Sequence, residues 1–154
     1  MINNITCNIK EICKEYGIIN YTINPDGSID VDGNVALNKL NLTKLPLKFN
    51  KVIGSFYCNS SQLTSLDGCP NYVGGWFDCN TNKLTSLEGA PTYVGNSFYC
   101  QVNILTSLEG CPNYIGGYFI CSGNPLLQEI IDNPKAEMKR LNREKKLNTL
   151  LNSF

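Results

Sequence analysis

Read every 21 residues, the chain falls into apolar columns. One column is Val31, Val52, Val73, Val94 and Ile115, and a second is Val35, Phe56, Phe77, Phe98 and Phe119. A third is Leu37, Cys58, Cys79, Cys100 and Cys121, and a fourth is Leu42, Leu63, Leu84, Leu105 and Leu126. A fifth, Leu45, Leu66, Leu87 and Leu108, breaks at Glu129. Columns that stay apolar at a fixed short period predict coils stacked on one another around a shared core. About five coils follow, from about Val31 to about Leu126. Within a coil, Gly75-Trp76-Phe77-Asp78-Cys79 alternates with period two. A short strand is expected there, with Phe77 and Cys79 inward and Trp76 and Asp78 outward. The Gly- and Pro-rich stretch between strands, such as Asp67 to Gly75, predicts extended or turn-like segments on the convex side.

The repeat is literal: LTSLDGCP begins at Leu63, LTSLEGAP at Leu84 and LTSLEGCP at Leu105, with a degenerate copy, LTKLPLKF, at Leu42. Asn82, Asn103 and Asn124 form a polar column beside the apolar ones. Stacked there, their amides can satisfy turn backbone groups that would otherwise be buried unpaired. Leu40 and Ser61 occupy the same place in the first two coils, which must close their turns differently. The pattern Gly-x-Phe-x-Cys-x-x-Asn-x-Leu-x-x-Leu resembles the leucine-rich repeat over roughly residues 31–128. Its LTSLEGCP phrasing resembles short repeat proteins of bacteriophage and bacterial genomes. The resemblance implies a mainly β leucine-rich-repeat solenoid whose strand sheet forms a concave binding surface. It names no partner, because one scaffold of this kind serves many.

Terminal coils expose core and strand edge, so caps are expected. Ile5, Ile9, Ile12, Cys13 and Tyr16 share one helical face ahead of Gly17, and a hairpin follows around Asn24-Pro25-Asp26-Gly27. Residues 1–30 therefore read as a helical N-terminal cap, 31–128 as the solenoid and 129–154 as a basic helical C-terminal cap. At that end Pro125 to Asp132 predicts a short helix whose Leu126, Leu127, Ile130 and Ile131 cover the last coil. Asn133-Pro134 breaks it, and a second helix runs from Lys135 to Asn152. Its apolar residues are Met138, Leu141, Leu147, Leu150, Leu151 and Phe154.

The formal net charge of zero conceals an uneven spread: residues 135–146 carry six positive and two negative charges, net +4. No apolar run is long enough to cross a membrane, and the first residues lack an apolar signal core. Eight cysteines are present. Four form a core column, where a free thiol behaves as a small hydrophobe, and reduced thiols predict a cytoplasmic setting. Cys69 and Cys111 are expected in convex turns, since Ala90 stands in the same column.

Chemistry has little material. The chain has no histidine, the commonest general base and metal ligand, and no phosphate loop or nucleophile elbow. No enzyme, cofactor, metal site or small-molecule substrate is expected. Asp67, Glu88 and Glu109 form an acidic column that reads as a solvated turn ladder rather than a cation site. The outward strand positions are Asn34-Ala36-Asn38, Ser55-Tyr57-Asn59, Trp76-Asp78-Asn80, Ser97-Tyr99-Gln101 and Tyr118-Ile120-Ser122. Aromatic rings among small polar residues fit a protein-binding face, with Tyr57, Trp76, Asp78, Tyr99, Tyr118 and Ile120 as its candidates. Tyr72, Tyr93 and Tyr114, on the turn before each strand, read as scaffold packing. The basic helix, through Lys139, Arg140, Arg143, Lys145 and Lys146, supplies the alternative of nucleic-acid binding or contact with an acidic protein. The expected function is non-enzymatic binding of another protein, with no membrane partner. The phage-like repeats extend it to an inhibitor acting in a bacterial host cytoplasm on a defence protein such as a CRISPR nuclease.

Overall fold

The computed structural model describes the backbone of residues 2–152 and the side chains of residues 6–152. The Ile5 side chain and Phe154, both assigned to caps above, lie outside the described residues. Helix α1 (Ile2–Glu15) leads into the hairpin β1 (Tyr21–Ile23) and β2 (Ile29–Val31). Each following coil gives two short strands: β3 (Val35–Ala36) and β4 (Phe49–Val52), β5 (Phe56–Tyr57) and β6 (Tyr72–Val73), β7 (Phe77–Asp78) and β8 (Tyr93–Val94), β9 (Phe98–Tyr99) and β10 (Tyr114–Ile115), then β11 (Phe119–Ile120). Helices α2 (Gln128–Asp132) and α3 (Pro134–Leu151) close the chain.

The strands form two sheets, ordered β1-β2-β4-β6-β8-β10 and β11-β9-β7-β5-β3. We call them the Val sheet and the Phe sheet. Apart from the antiparallel hairpin, all pairs are parallel, and their register joins equivalent residues of neighbouring coils, as in Phe56↔Phe77 and Val73↔Val94. The molecule is thus a β-solenoid with about four turns and helices at both ends.

The apolar columns make one core. Phe56, Phe77 and Phe98 are wholly buried and stack with centroids 5.7 and 5.2 Å apart. Val52, Val73 and Val94 face them from the Val sheet, and the leucine columns fill the remaining side. The asparagine column works as its chemistry predicts. Asn103 Nδ2 donates to the carbonyls of Cys79 and Cys100, while its Oδ1 accepts from the Leu84 amide. Asn82 and Asn124 repeat the arrangement. In the second coil Ser61 is too short for it, and its buried hydroxyl has no partner among the described residues.

The Gly-Gly pairs reflect how closely coils approach. A Cβ on Gly116 would run into the carbonyl oxygen of Gly95, so no larger residue fits without moving the backbone. A second backbone column turns the corner after each Phe-sheet strand. Lys39, Ser60, Thr81, Val102 and Gly123 all have φ between 53° and 69°. Four of their amides donate to the coil below, Val102 to Ser122 O at 2.9 Å for example, which adds a rung beyond each two-residue strand.

Several expectations need correction. The convex segments are not only turns: Tyr72, Tyr93 and Tyr114 lie in strands of the second sheet, and the first two rings stack at 4.8 Å and 3°. Cys69 and Cys111 do lie at turns, and they are buried there against the core. Leu42 is only half-buried. Helix α2 is shorter than expected, beginning at Gln128, and Leu127 is exposed. Met138 of α3 is the buried cap residue, with Ile130, Ile131 and Leu141 packed beside it, whereas Leu147, Leu150 and Leu151 are exposed. Helix α1 covers the other end through Ile9 and Cys13.

Candidate functional site

Three outward positions recur in and beside each Phe-sheet strand, and each behaves differently. The first reads Asn34, Ser55, Trp76, Ser97 and Tyr118. The sequence places all of them outward, but Ser55 and Ser97 are buried. Their hydroxyls accept the amides of Trp76 and Tyr118, each at 3.0 Å, so both serines belong to the scaffold. The contact crosses from one coil to the next, so alternation within a strand could not disclose it. Trp76 and Tyr118, 43% and 73% exposed, stand clear of the sheet with buried Ser97 between them. Two coil steps at about 4.8 Å separate them by about 10 Å.

The second position reads Ala36, Tyr57, Asp78, Tyr99 and Ile120, in continuous register. Tyr57 and Tyr99 are half-buried and Ile120 is 37% exposed. Asp78 lies directly between the two tyrosines, with Trp76 two residues before it on the same face. Its Oδ1 accepts from the amide and side chain of Asn80, at 3.1 and 2.6 Å. Burial nevertheless pushes the Asp78 carboxyl above its ordinary range, against the lowering effect of Asn80. The third position, Asn38, Asn59, Asn80, Gln101 and Ser122, is polar throughout. The fold therefore brings Tyr57, Trp76, Asp78, Tyr99, Tyr118 and Ile120 onto one face, within five adjacent strands.

The basic residues form a separate surface along α3. Lys139, Arg143, Lys145 and Lys146 are exposed and have no ion pair among the described residues. Arg140 differs from the expectation. It bridges Glu137 and Glu144, each at 2.6 Å, and its guanidinium holds Glu137 below the usual carboxylate range. Its charge is compensated within the helix, a pairing that the i,i+3 and i,i+4 spacing already permits.

Two features leave no signal in the sequence. Lys135 Nζ donates to Ile115 O at 3.3 Å, and Asn142 Nδ2 reaches the Pro112 and Asn113 carbonyls at 3.4 Å. The helix thereby satisfies carbonyls at the open edge of the Val sheet. Between α3 and the coil turns runs an open groove of about 800 Å³ lined by Glu88, Glu109, Asn142, Lys145 and Asn148. Glu88 and Glu109 on its wall belong, with Asp67 beyond it, to turns in which Ser65, Ser86 and Ser107 accept the amides of Asp67, Glu88 and Glu109. Among the described residues no group of three or more potential ligands could hold a metal ion, and no helix is long and apolar enough to cross a membrane.

Compared with protein-family models, with curated proteins and with solved structures, the chain matches none of them.

Proposed function

We propose that this chain is a non-enzymatic protein-binding module of leucine-rich-repeat type, whose partner seats on the outer face of the Phe sheet. The observation that carries the reading is the exposure of Trp76 and Tyr118 beside Tyr57, Tyr99 and Ile120. The core columns are complete without them, so these rings contribute little to holding the coils together. Large aromatics on a rigid scaffold lose little entropy on binding and commonly dominate interface energetics. The likeness of the repeats to short phage and bacterial proteins supports a narrower version. In it the module is a phage-type inhibitor that blocks a defence protein, such as a CRISPR nuclease, in the host cytoplasm.

The test begins with capture of partners from a bacterial lysate and their identification by mass spectrometry. Trp76→Ala with Tyr99→Ala should weaken a captured complex by at least about 2 kcal/mol, roughly thirtyfold in Kd, with little change in melting temperature. One observation favours a second reading: four exposed, unpaired cations on α3 suit a phosphate backbone. Reversing Arg143 and Lys146 to Glu should then abolish binding, and affinity should fall steeply with salt. If that variant loses all binding while the aromatic one keeps its full affinity, α3 is the functional surface and the first reading fails.

A further inference from the structure

We propose that the outer face of the Phe sheet receives an arginine side chain of the partner protein, held by the Asp78 carboxylate among the rings of Tyr57, Trp76 and Tyr99. This rests on the reading of that face as a protein-binding surface and names the chemistry it selects.

The scaffold has no need of a carboxylate at Asp78. The column containing Asp78 carries Ala36, Tyr57, Tyr99 and Ile120 in the other coils, so no coil requires a carboxylate there. Nor does the turn after the strand. Within this column only Asp78 accepts the amide two residues on, and the other coils turn the same corner without such a bond. Asp78 is half-buried between two tyrosines, where a carboxylate is costly unless it is paired. The outward positions of the five strands include no lysine or arginine. Its charge thus lacks a cation on its own surface.

Its geometry is nonetheless fixed. Asn80 holds Oδ1 with two hydrogen bonds, and Oδ2 has no partner among the described residues. One oxygen anchors the group and the other is open to a donor. The rings around it then select the donor. Aromatic faces attract cations, and a planar guanidinium stacks on tyrosine and tryptophan while its N–H groups reach a carboxylate in the same plane. A lysine ammonium keeps its hydration more tightly and has no plane to stack. A metal ion would need more oxygen ligands than one carboxylate supplies. A phosphate backbone would be repelled by Asp78.

Trp76 is the only tryptophan, so its indole resonance reports on this place alone. The experiment titrates the full chain with acetyl-Gly-Arg-Gly-amide, following the Trp76 indole and Asp78 amide resonances by NMR. The citrulline peptide, of the same shape without the charge, and the lysine peptide serve as comparisons. Saturable shifts confined to Tyr57, Trp76, Asp78 and Tyr99 are expected, with the arginine peptide at least fivefold tighter than either comparison. Asp78→Asn keeps an oxygen for the Asn80 amide and should keep the fold, which its melting curve checks, yet it should lose that preference. Equal affinity for the arginine and citrulline peptides, or an unchanged preference in Asp78→Asn, overturns the proposal. The captured complex separates the two levels. If Trp76→Ala with Tyr99→Ala destroys it while Asp78→Asn leaves it unchanged, the face binds protein without an arginine and only this inference falls. If neither variant weakens it, both fall. If Asp78→Asn strengthens binding to a single-stranded RNA, the face serves an anion and both are overturned.

Discussion

At the scale of single residues, the repeat exposes places where one coil does its task worse than its neighbours. Val102 is one. Its φ of 54° is the left-handed region, which Gly123 fills freely in the next coil and Asn20 and Asn41 adopt elsewhere. A β-branched residue is strained there, at a cost on the order of 1–3 kcal/mol. Its side chain is 53% exposed, so replacement sacrifices little packing. Val102→Asn should stabilise the fold by about 1 kcal/mol and raise the melting temperature by about 2–4 °C, with Gly123→Val moving it the other way. A thermal melt followed by circular dichroism reads both. The asparagine column makes a second case. Asn103→Ala leaves the buried Leu84 amide without a partner and takes one of two asparagine donors from each of the Cys79 and Cys100 carbonyls, and urea titration should show a loss of about 1–3 kcal/mol. Ser61→Asn extends the same column upward to the orphaned position and should gain about 1 kcal/mol.

At the scale of the coil, the cysteine column links packing to pH. Burial pushes the Cys111 and Cys121 thiols up to about 11, and Cys79 and Cys100 also lie well above the ordinary value. An unfolded thiol ionises near 8.5, so the unfolded chain loses protons first as the solution becomes alkaline. The stability these thiols contribute is therefore complete below about pH 8.5 and declines as pH rises toward about 11. The urea midpoint should drop between pH 7.5 and pH 10.5, and Cys121→Ala should show a smaller drop than the parent. An equal drop would place the alkaline sensitivity elsewhere. This column, the phenylalanines and the asparagines were legible in the sequence because each repeats at a spacing that leaves one solution. The Tyr-Val strands were not. A two-residue strand between Pro and Gly-Gly offers no alternation, and it becomes a strand only because an identical neighbour lies above and below. The inward turn of Ser55 and Ser97 was hidden for a related reason: their partners are amides 21 residues away. For the candidate face, alternation alone placed Trp76, Tyr118 and Ile120 outside. The isolation of Asp78 from any cation became visible only once the strands were in register.

At the scale of the whole molecule, stability depends on how a repeating stack ends. Each internal coil pairs above and below, so the terminal edges alone can template further strands. The Val sheet is closed twice. The antiparallel β1 covers its first edge, and Lys135 and Asn142 of α3 occupy the carbonyls of its last. Met138 of the same helix lies over the exposed end of the core. Helix α3 thus protects both backbone and apolar surface at one end, with its cations carried on the side that remains in water. Deleting residues 134–154 would uncover β10 and the end of the core together. The uncovered strand edge and apolar end can then pair with the same surface of a second copy, so association is expected. Sedimentation velocity of the truncated chain should show species growing with concentration, while the full chain stays unchanged over the same range. Lys135→Ala with Asn142→Ala removes only the carbonyl contacts and keeps Met138 in place, so it should lower the melting temperature with far less association. If the truncated chain sediments without concentration dependence, α3 does not guard the stack, and its basic surface must be explained by what it binds.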